Sequence, residues 1–203
     1  MSEPHAVVVL AAGGSQRLGR PKQTLTINGV SLLKHVVELA LATRPERIVV
    51  VLGANAEQLA PLLDGVVLEK LACVVNHDWQ EGMASSLRVA ANELATWTGR
   101  TLMLACDQPR LSDEHLQALL DAAIANPDSD IASAYADTIG IPALVRPSIL
   151  SLAATLQGDS GLRHLWKSRD AAVTRIEAPE LAFDIDTPAD LADAIDAGWV
   201  DDQ

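Results

Sequence analysis

Three stretches of this chain are apolar almost without interruption: 6–12 (AVVVLAA), 47–53 (RIVVVLG) and 101–107 (TLMLACD). A run with no polar alternation marks a strand covered on both faces, as in a parallel sheet. Between these runs the apolar positions recur at three and four, the period of a helix with one buried face. Ser31 is placed to cap a helix through LLKHVVELALAT, and Ser112 one through DEHLQALLDAAIA. Asn28-Gly29 between β-branched residues predicts a tight hairpin within 24–33. Further strands are expected at 71–76 (LACVVN), 130–136 (DIASAYA), 141–146 (IPALVR) and 172–178 (AVTRIEA), with the middle two joined around Gly140. Helices are expected at 55–63, 83–97, 147–168 (broken at QGDSG) and 187–198. Strand–helix alternation with right-handed crossovers predicts a three-layer α/β/α sandwich on a mostly parallel, Rossmann-like sheet, with ligands at the carboxyl ends of the strands. One domain over 1–203 is the expectation for this length.

Composition changes this picture little. Apolar residues make up 49% of the chain and aromatics 3%, which suits a helix-covered sheet better than an aromatic-rich sandwich. Charge changes it more. A net charge of −12 argues against non-specific binding to nucleic acid or to an anionic membrane. An acidic protein that binds a phosphorylated ligand has to gather its cations in one place, and Arg17, Arg20 and Lys22 are gathered just after the first run. Cys73 and Cys106 have no metal-ligand spacing and read as reduced core thiols. The first apolar run is far shorter than the roughly 20 residues of a membrane span, so a cytoplasmic location is expected.

The loop after that run, LAAGGSQRLGRPK at 10–22, carries the first chemistry. A Walker A loop needs Lys and Ser/Thr directly after its last glycine, whereas here Arg20 follows Gly19 and Gln23 stands where the hydroxyl belongs. The dinucleotide fingerprint needs glycines one residue apart, whereas Gly13 and Gly14 are adjacent. What remains is a glycine-bearing turn that can bring backbone N–H groups to a phosphate, flanked by cations and stiffened by Pro21. A basic turn with no ligand is the plainer alternative.

This loop resembles the signature of the nucleotidyltransferases with a GT-A-like fold, and in particular the branch of molybdenum cofactor cytidylyltransferases and their guanylyltransferase relatives. Ala12 and Pro21 resemble the cytidylyl side of that branch. NHDWQEGMASSL (76–87), CDQPRL (106–111), QGDSGLR (157–163) and FDIDTPADL (183–191) match in the same order. IGIPALV (139–145) departs from it, lacking a histidine usual there.

The resemblance implies a role for each motif. Leu10, Ala11, Ala12, Gly13, Gly14 and Ser15 would surround the nucleotide with backbone donors, while Arg17 and Lys22 neutralise its triphosphate. Asp107, at the end of a strand, would hold Mg²⁺ with substrate phosphates, the oxygen chemistry that ion prefers. Asp184 and Asp186, two apart on a short strand, would share a face and complete the metal set. Asn76 offers the donor and acceptor of an amide for reading a base edge, with Ser86 nearby at a helix start. Gly158, Asp159 and Arg163 lie where the family binds its acceptor. The implied partners are CTP or another NTP, a molybdopterin-type phosphate acceptor and a recipient molybdoenzyme. An acceptor that is a sugar or alcohol phosphate, an NAD(P)-dependent oxidoreductase of the same family, and a non-catalytic cofactor carrier stand as alternatives.

Overall fold

The computed structural model describes residues 3–66 and 70–202. Its main sheet has seven strands: β1 (His5–Ala11), β4 (Arg47–Leu52), β5 (Leu71–Val75), β6 (Arg100–Ala105), β7 (Asp130–Tyr135), β8 (Thr138–Val145) and β9 (Val173–Glu177). A separate hairpin pairs β2 (Thr26–Ile27) with β3 (Val30–Ser31) around Asn28-Gly29. The order across the main sheet is β5-β4-β1-β6-β8-β7-β9. All neighbours run parallel except β8, which is antiparallel to both β6 and β7.

Period-two side-chain direction explains the two large cores. Val7, Val9 and Ala11 of β1 face one layer, with α1 (Leu32–Ala42) and α4 (Asp113–Ala125). Ala6 and Val8 face the other, with α3 (Met83–Glu93), α5 (Pro147–Ala153) and α6 (Leu162–Ser168). A short α2 (Ala56–Leu59) follows β4, and α7 (Pro188–Asp196) closes the chain's helical content. Ser31, Ser112 and Thr187 cap α1, α4 and α7 with their side-chain oxygens, the first two as expected from the sequence. A third, smaller core joins Leu18, Leu25 and Leu32 to Ile185, Ala194 and Val200 from the far end of the chain. There Asp201 accepts N–H bonds from Asn28 (2.9 Å) and Gly29 (2.8 Å), holding the tip of the β2–β3 hairpin.

Two expectations are corrected. The β7–β8 hairpin turns at Ala136-Asp137, both left-handed (φ 48° and 59°), the backbone of a tight two-residue turn. Gly140 lies inside β8, where a side chain would press on Tyr135: a Cβ there would sit 2.6 Å from its Oη. Residues 183–186 form no strand; a link without regular structure follows a 3₁₀ turn at Pro179–Ala182 and is held by the Ile185 N–H on the Asp107 carbonyl (3.2 Å).

The buried His115 gives the fold a pH dependence. The Ser133 hydroxyl donates to the Pro142 carbonyl (2.7 Å), so its lone pair takes the Nε2–H of His115 (2.7 Å). Burial lowers the His115 pKa, against an upward pull from Glu180. Burial likewise lowers His5 and His35. A folded-state pKa below the unfolded value near 6.5 means the unfolded chain takes up the proton first. This stability is therefore complete above about pH 6.5 and is lost as the pH falls through the folded values. Urea midpoints are expected to drop on acidification below that point, and His115→Gln, which keeps a donor, to flatten the drop. An unchanged slope in that variant would count against the burial argument.

Candidate active site

The topological switch point of the sheet lies between β1 and β6: the chain runs outward from β1 to β4 and β5, then returns to β6 on the other side. Such a point leaves a crevice outside the carboxyl ends of the two strands, where open α/β sheets bind ligands. The crevice here is a cleft of about 850 Å³. The loop after β1 forms one wall and Asp107, two residues beyond β6, stands in the other.

Leu10, Ala11, Ala12, Gly13, Gly14, Ser15, Arg17, Lys22, Ser86, Asp107, Asp159 and Asp186 all line it, so the structure brings together most of the residues singled out from the sequence. Its centre is a chain of ion pairs. Lys22 Nζ donates to Asp107 Oδ2 (2.8 Å) and to Asp186 Oδ1 (3.0 Å), and Arg17 donates to Asp186 Oδ2 (2.7 Å). The Lys22 side chain is 14% exposed and that of Arg17 70%. Burial pulls the Lys22 pKa down, but the Asp107 and Asp186 carboxylates outweigh it and hold the ammonium above its ordinary value. Burial acts upward on Asp186, yet the hydrogen bond and charge of Lys22, followed by Arg17, hold it below the usual carboxylate range. At neutral pH the cleft thus presents fixed charges of both signs around one point.

The wall opposite the glycine loop comes from the start of α3. Gly82, at φ 105°, has the backbone of the Gly-only region, and a Cβ there would lie 2.2 Å from Asp159 Oδ1. The 158–159 turn is thereby seated on α3, with the Gly158 carbonyl accepting the Ala84 N–H at 3.1 Å. The Trp79 ring packs over the loop, where a Cβ on Gly14 would be 2.9 Å from it, which is the packing role rather than an open stacking platform.

Three expectations need correction. Asn76 is buried beneath the cleft and does not line it: its Nδ2 donates to Ser85 Oγ (2.8 Å) and Ser86 Oγ (3.0 Å), and its Oδ1 accepts the Asp78 N–H (3.0 Å). An amide with these partners orients the Ser86 hydroxyl; it does not itself reach a base. The first turn of α3 is also partly closed, because Gly158 takes the Ala84 N–H. Finally, Asp107, Asp184 and Asp186 do not gather into one metal set, and among the described residues no three His, Cys, Asp or Glu side chains do. The cause is the missing strand at 183–186. Asp186 turns to Lys22, whereas Asp184 lines a second cavity of about 710 Å³. Burial, then the Asp107 charge, pushes the Asp184 carboxyl up to about 7 against the opposing pull of Lys22.

A divalent cation still fits this chemistry. Asp107 and Asp186 both reach the one point now taken by Lys22 Nζ, and Mg²⁺ uses one or two carboxylates plus phosphate oxygens. The second cavity meets the first at Asp107, Met83, Ile141 and Asp159, and Arg163 lies on its wall with Nε donating to the Ile139 carbonyl (2.8 Å). Gly158 lines neither cavity and acts through its carbonyl. Sequence reasoning missed Met83 and Ile141 at this junction. An apolar side chain carries no chemical signature in the sequence, and only the fold places these two on the border.

The MobA-like NTP transferase domain, as a family, matches residues 7–173. The chain belongs to this family of nucleotidyltransferases. The matched span holds the glycine loop, Lys22 and Asp107, but Asp186 and Asp201 lie beyond it. Within the family's reach, the chain is 32% identical over 192 residues to the nicotine blue oxidoreductase of Paenarthrobacter nicotinovorans, covering 89% of this chain and 91% of that one. It is also 32% identical over 192 residues to the bifunctional protein GlmU of Corynebacterium diphtheriae, covering 91% of this chain but only 39% of that protein. Among solved structures, the Mycobacterium tuberculosis Rv0371c homologue from Mycobacterium sp. strain JC1 superposes with a TM-score of 0.80 at 27% identity, over 98% of each chain. The mostly parallel sheet with helices on both faces is thus the family's α/β fold.

Proposed function

We propose that the protein, acting as one catalytic unit over 1–203, is a Mg²⁺-dependent nucleotidyltransferase that moves CMP from CTP to the phosphate of a molybdopterin-type acceptor and releases pyrophosphate. The observation that carries this reading is the Arg17–Asp186–Lys22–Asp107 chain of ion pairs, facing the glycine loop at the switch point and opening at Asp107 into a second cavity. Ala12 and Pro21 support CTP through their resemblance to the cytidylyl branch.

The chemistry asks for little beyond positioning and charge. An acceptor phosphate oxygen forms a bond to the α-phosphorus, and the bond from that phosphorus to the bridging oxygen breaks. The electron pair leaves with pyrophosphate. No proton has to be removed from a phosphate nucleophile, so no general base is required. Loop N–H groups and Lys22 hold the triphosphate, and Arg17 follows the charge that builds on the leaving group. Asp107 and Asp186 would hold the Mg²⁺, which when bound offsets phosphate charge and orients the α-phosphate. Arg163 and Asp159 orient the acceptor from the second cavity, and a recipient molybdoenzyme takes the product.

Calorimetry with CTP, GTP, ATP, UTP and NADH, each with and without Mg²⁺, tests the reading. The expected result is selective CTP binding strengthened by Mg²⁺, followed by pyrophosphate release only when a molybdopterin-type acceptor is added. Release with a sugar or alcohol phosphate instead would keep the reaction and replace the acceptor. The similarity to nicotine blue oxidoreductase favours one second reading, an NAD(P)-dependent oxidoreductase. Against it, the loop after β1 runs into a 3₁₀ turn (Lys22–Thr24) and a hairpin, not the helix N-terminus on which a dinucleotide pyrophosphate rests. Binding of NADH with silence toward every NTP would overturn the transferase.

A further inference from the structure

Gln23 follows Lys22 directly and has no part in the chemistry above. Its side chain is 1% exposed. Its Nε2 donates to two carbonyls of the loop, Ala11 (2.8 Å) and Gly13 (3.0 Å). The carbonyl between them, that of Ala12, accepts the Ala54 N–H at 3.0 Å, and the Ser15 carbonyl accepts the N–H groups of Leu18 and Gly19 at 3.1 Å. The loop carbonyls are therefore engaged on the protein side. In a planar trans peptide the C=O and the next N–H point in opposite directions. The Gly13 carbonyl held by Gln23 turns the Gly14 N–H the opposite way, as the Ala12 carbonyl held by Ala54 does for Gly13 and the Ser15 carbonyl held within its own turn does for Gln16, and among the described residues those three N–H groups have no acceptor.

The orientation of the Gln23 amide follows from its partners, since only the NH₂ end can meet two carbonyl oxygens. Its Oε1 is buried with no partner, an unfavourable state, so the donor end dictates the placement. Neither a carboxylate nor an apolar side chain of the same shape could take this place.

We infer that Gln23 is the positioning residue of the glycine loop, setting its outward N–H groups to receive a polyphosphate. This rests on the reading of the cleft as a triphosphate site, and it adds a buried residue of the cleft lining that shapes the loop. The test uses Mg²⁺ with inorganic tripolyphosphate, which has no base or sugar and so does not depend on which NTP is the substrate. Wild type, Gln23→Glu and Gln23→Met are compared by calorimetry, with thermal midpoints and the amide NMR shifts of Gly13, Gly14 and Gln16.

The expected result is binding by wild type, weakened about tenfold or more in both folded variants, the size of one lost hydrogen bond to a charged group. The ligand-induced shifts of the three amides should shrink in step. Wild-type affinity in either folded variant would overturn the positioning role and leave the transferase reading intact, even if the thermal midpoint fell. Failure of the wild type to bind tripolyphosphate or any NTP would overturn both.

Discussion

Lys22→Ala is expected to slow nucleotidyl transfer by about a hundred- to a thousandfold, the usual cost of deleting one preorganised donor to transition-state charge. The ammonium is 14% exposed, so its field is little weakened by water, whether it bonds the two carboxylates or, with Mg²⁺ between them, the triphosphate. Lys22→Arg should not restore the rate, because a planar guanidinium fork does not reproduce the compact point charge of an ammonium in this confined position. Arg17→Ala should do less damage, since a side chain 70% exposed can be replaced in part by solvent cations. The measurement is pyrophosphate release under single-turnover conditions. Equal losses for Lys22→Ala and Arg17→Ala would contradict a ranking set by burial.

Asp130→Ala is expected to cost about 3–5 kcal/mol of stability, the range for breaking a buried ion pair by removing one partner. The carboxylate is fully buried at the start of β7. It accepts from the Arg146 N–H (2.8 Å), from Arg146 Nε (3.1 Å) and from Trp166 Nε1 (3.0 Å). Removal leaves the Trp166 indole N–H and the backbone and Nε–H groups of Arg146 without their acceptor, while Arg146 Nη1 keeps the Asp128 carbonyl. At roughly 2–4 °C per kcal/mol for a chain of this size, the thermal midpoint should fall by about 10 °C. Asp130→Asn keeps one oxygen for Trp166 and should lose less. A loss near 1 kcal/mol for the alanine variant, read from urea unfolding, would mean that Arg146 and Trp166 find other partners. Trp166 also lines the second cavity, so the variant should perturb acceptor binding before it perturbs NTP binding.

The strands that build the cleft were legible because they are buried on both faces: β1, β4 and β6 show as unbroken apolar runs. The caps at Ser31 and Ser112 were legible because a hydroxyl before a periodic segment has one common local use. Strand direction was not legible. Nothing in the residues of β8 marks it as antiparallel, since where it pairs with β6, at residues 143–145, both of its faces are buried as in a parallel strand. The Gly140 expectation failed because a glycine serves a close approach as well as a turn. In the site, Arg17, Lys22 and Asp107 could be named because they flank a strand end. The pairing of Asp184 with Asp186 failed because the alternation assumed a strand, and 183–186 is held instead by the Ile185 N–H on the Asp107 carbonyl and the Asp186 N–H on the Asp190 carboxylate. Asn76 was misread because an amide at a strand end looks the same whether it faces a ligand or two serines beneath. Gln23 was seen only as the residue a Walker loop would not have.

The small core under the glycine loop has a consequence for how the site is assembled in time. Leu18, Leu25 and Leu32 pack with Ile185, Ala194 and Val200, and Thr26 bonds Asp201 across 175 residues. Contacts that distant are the last to become available as a chain emerges from the ribosome, and the slowest to close. The glycine loop is made well before these partners, so it stays without its packing until they follow. A nascent chain halted at about residue 180 would carry all seven strands of the main sheet and still lack Asp186 and half of the small core, so the catalytic centre is born complete or not at all.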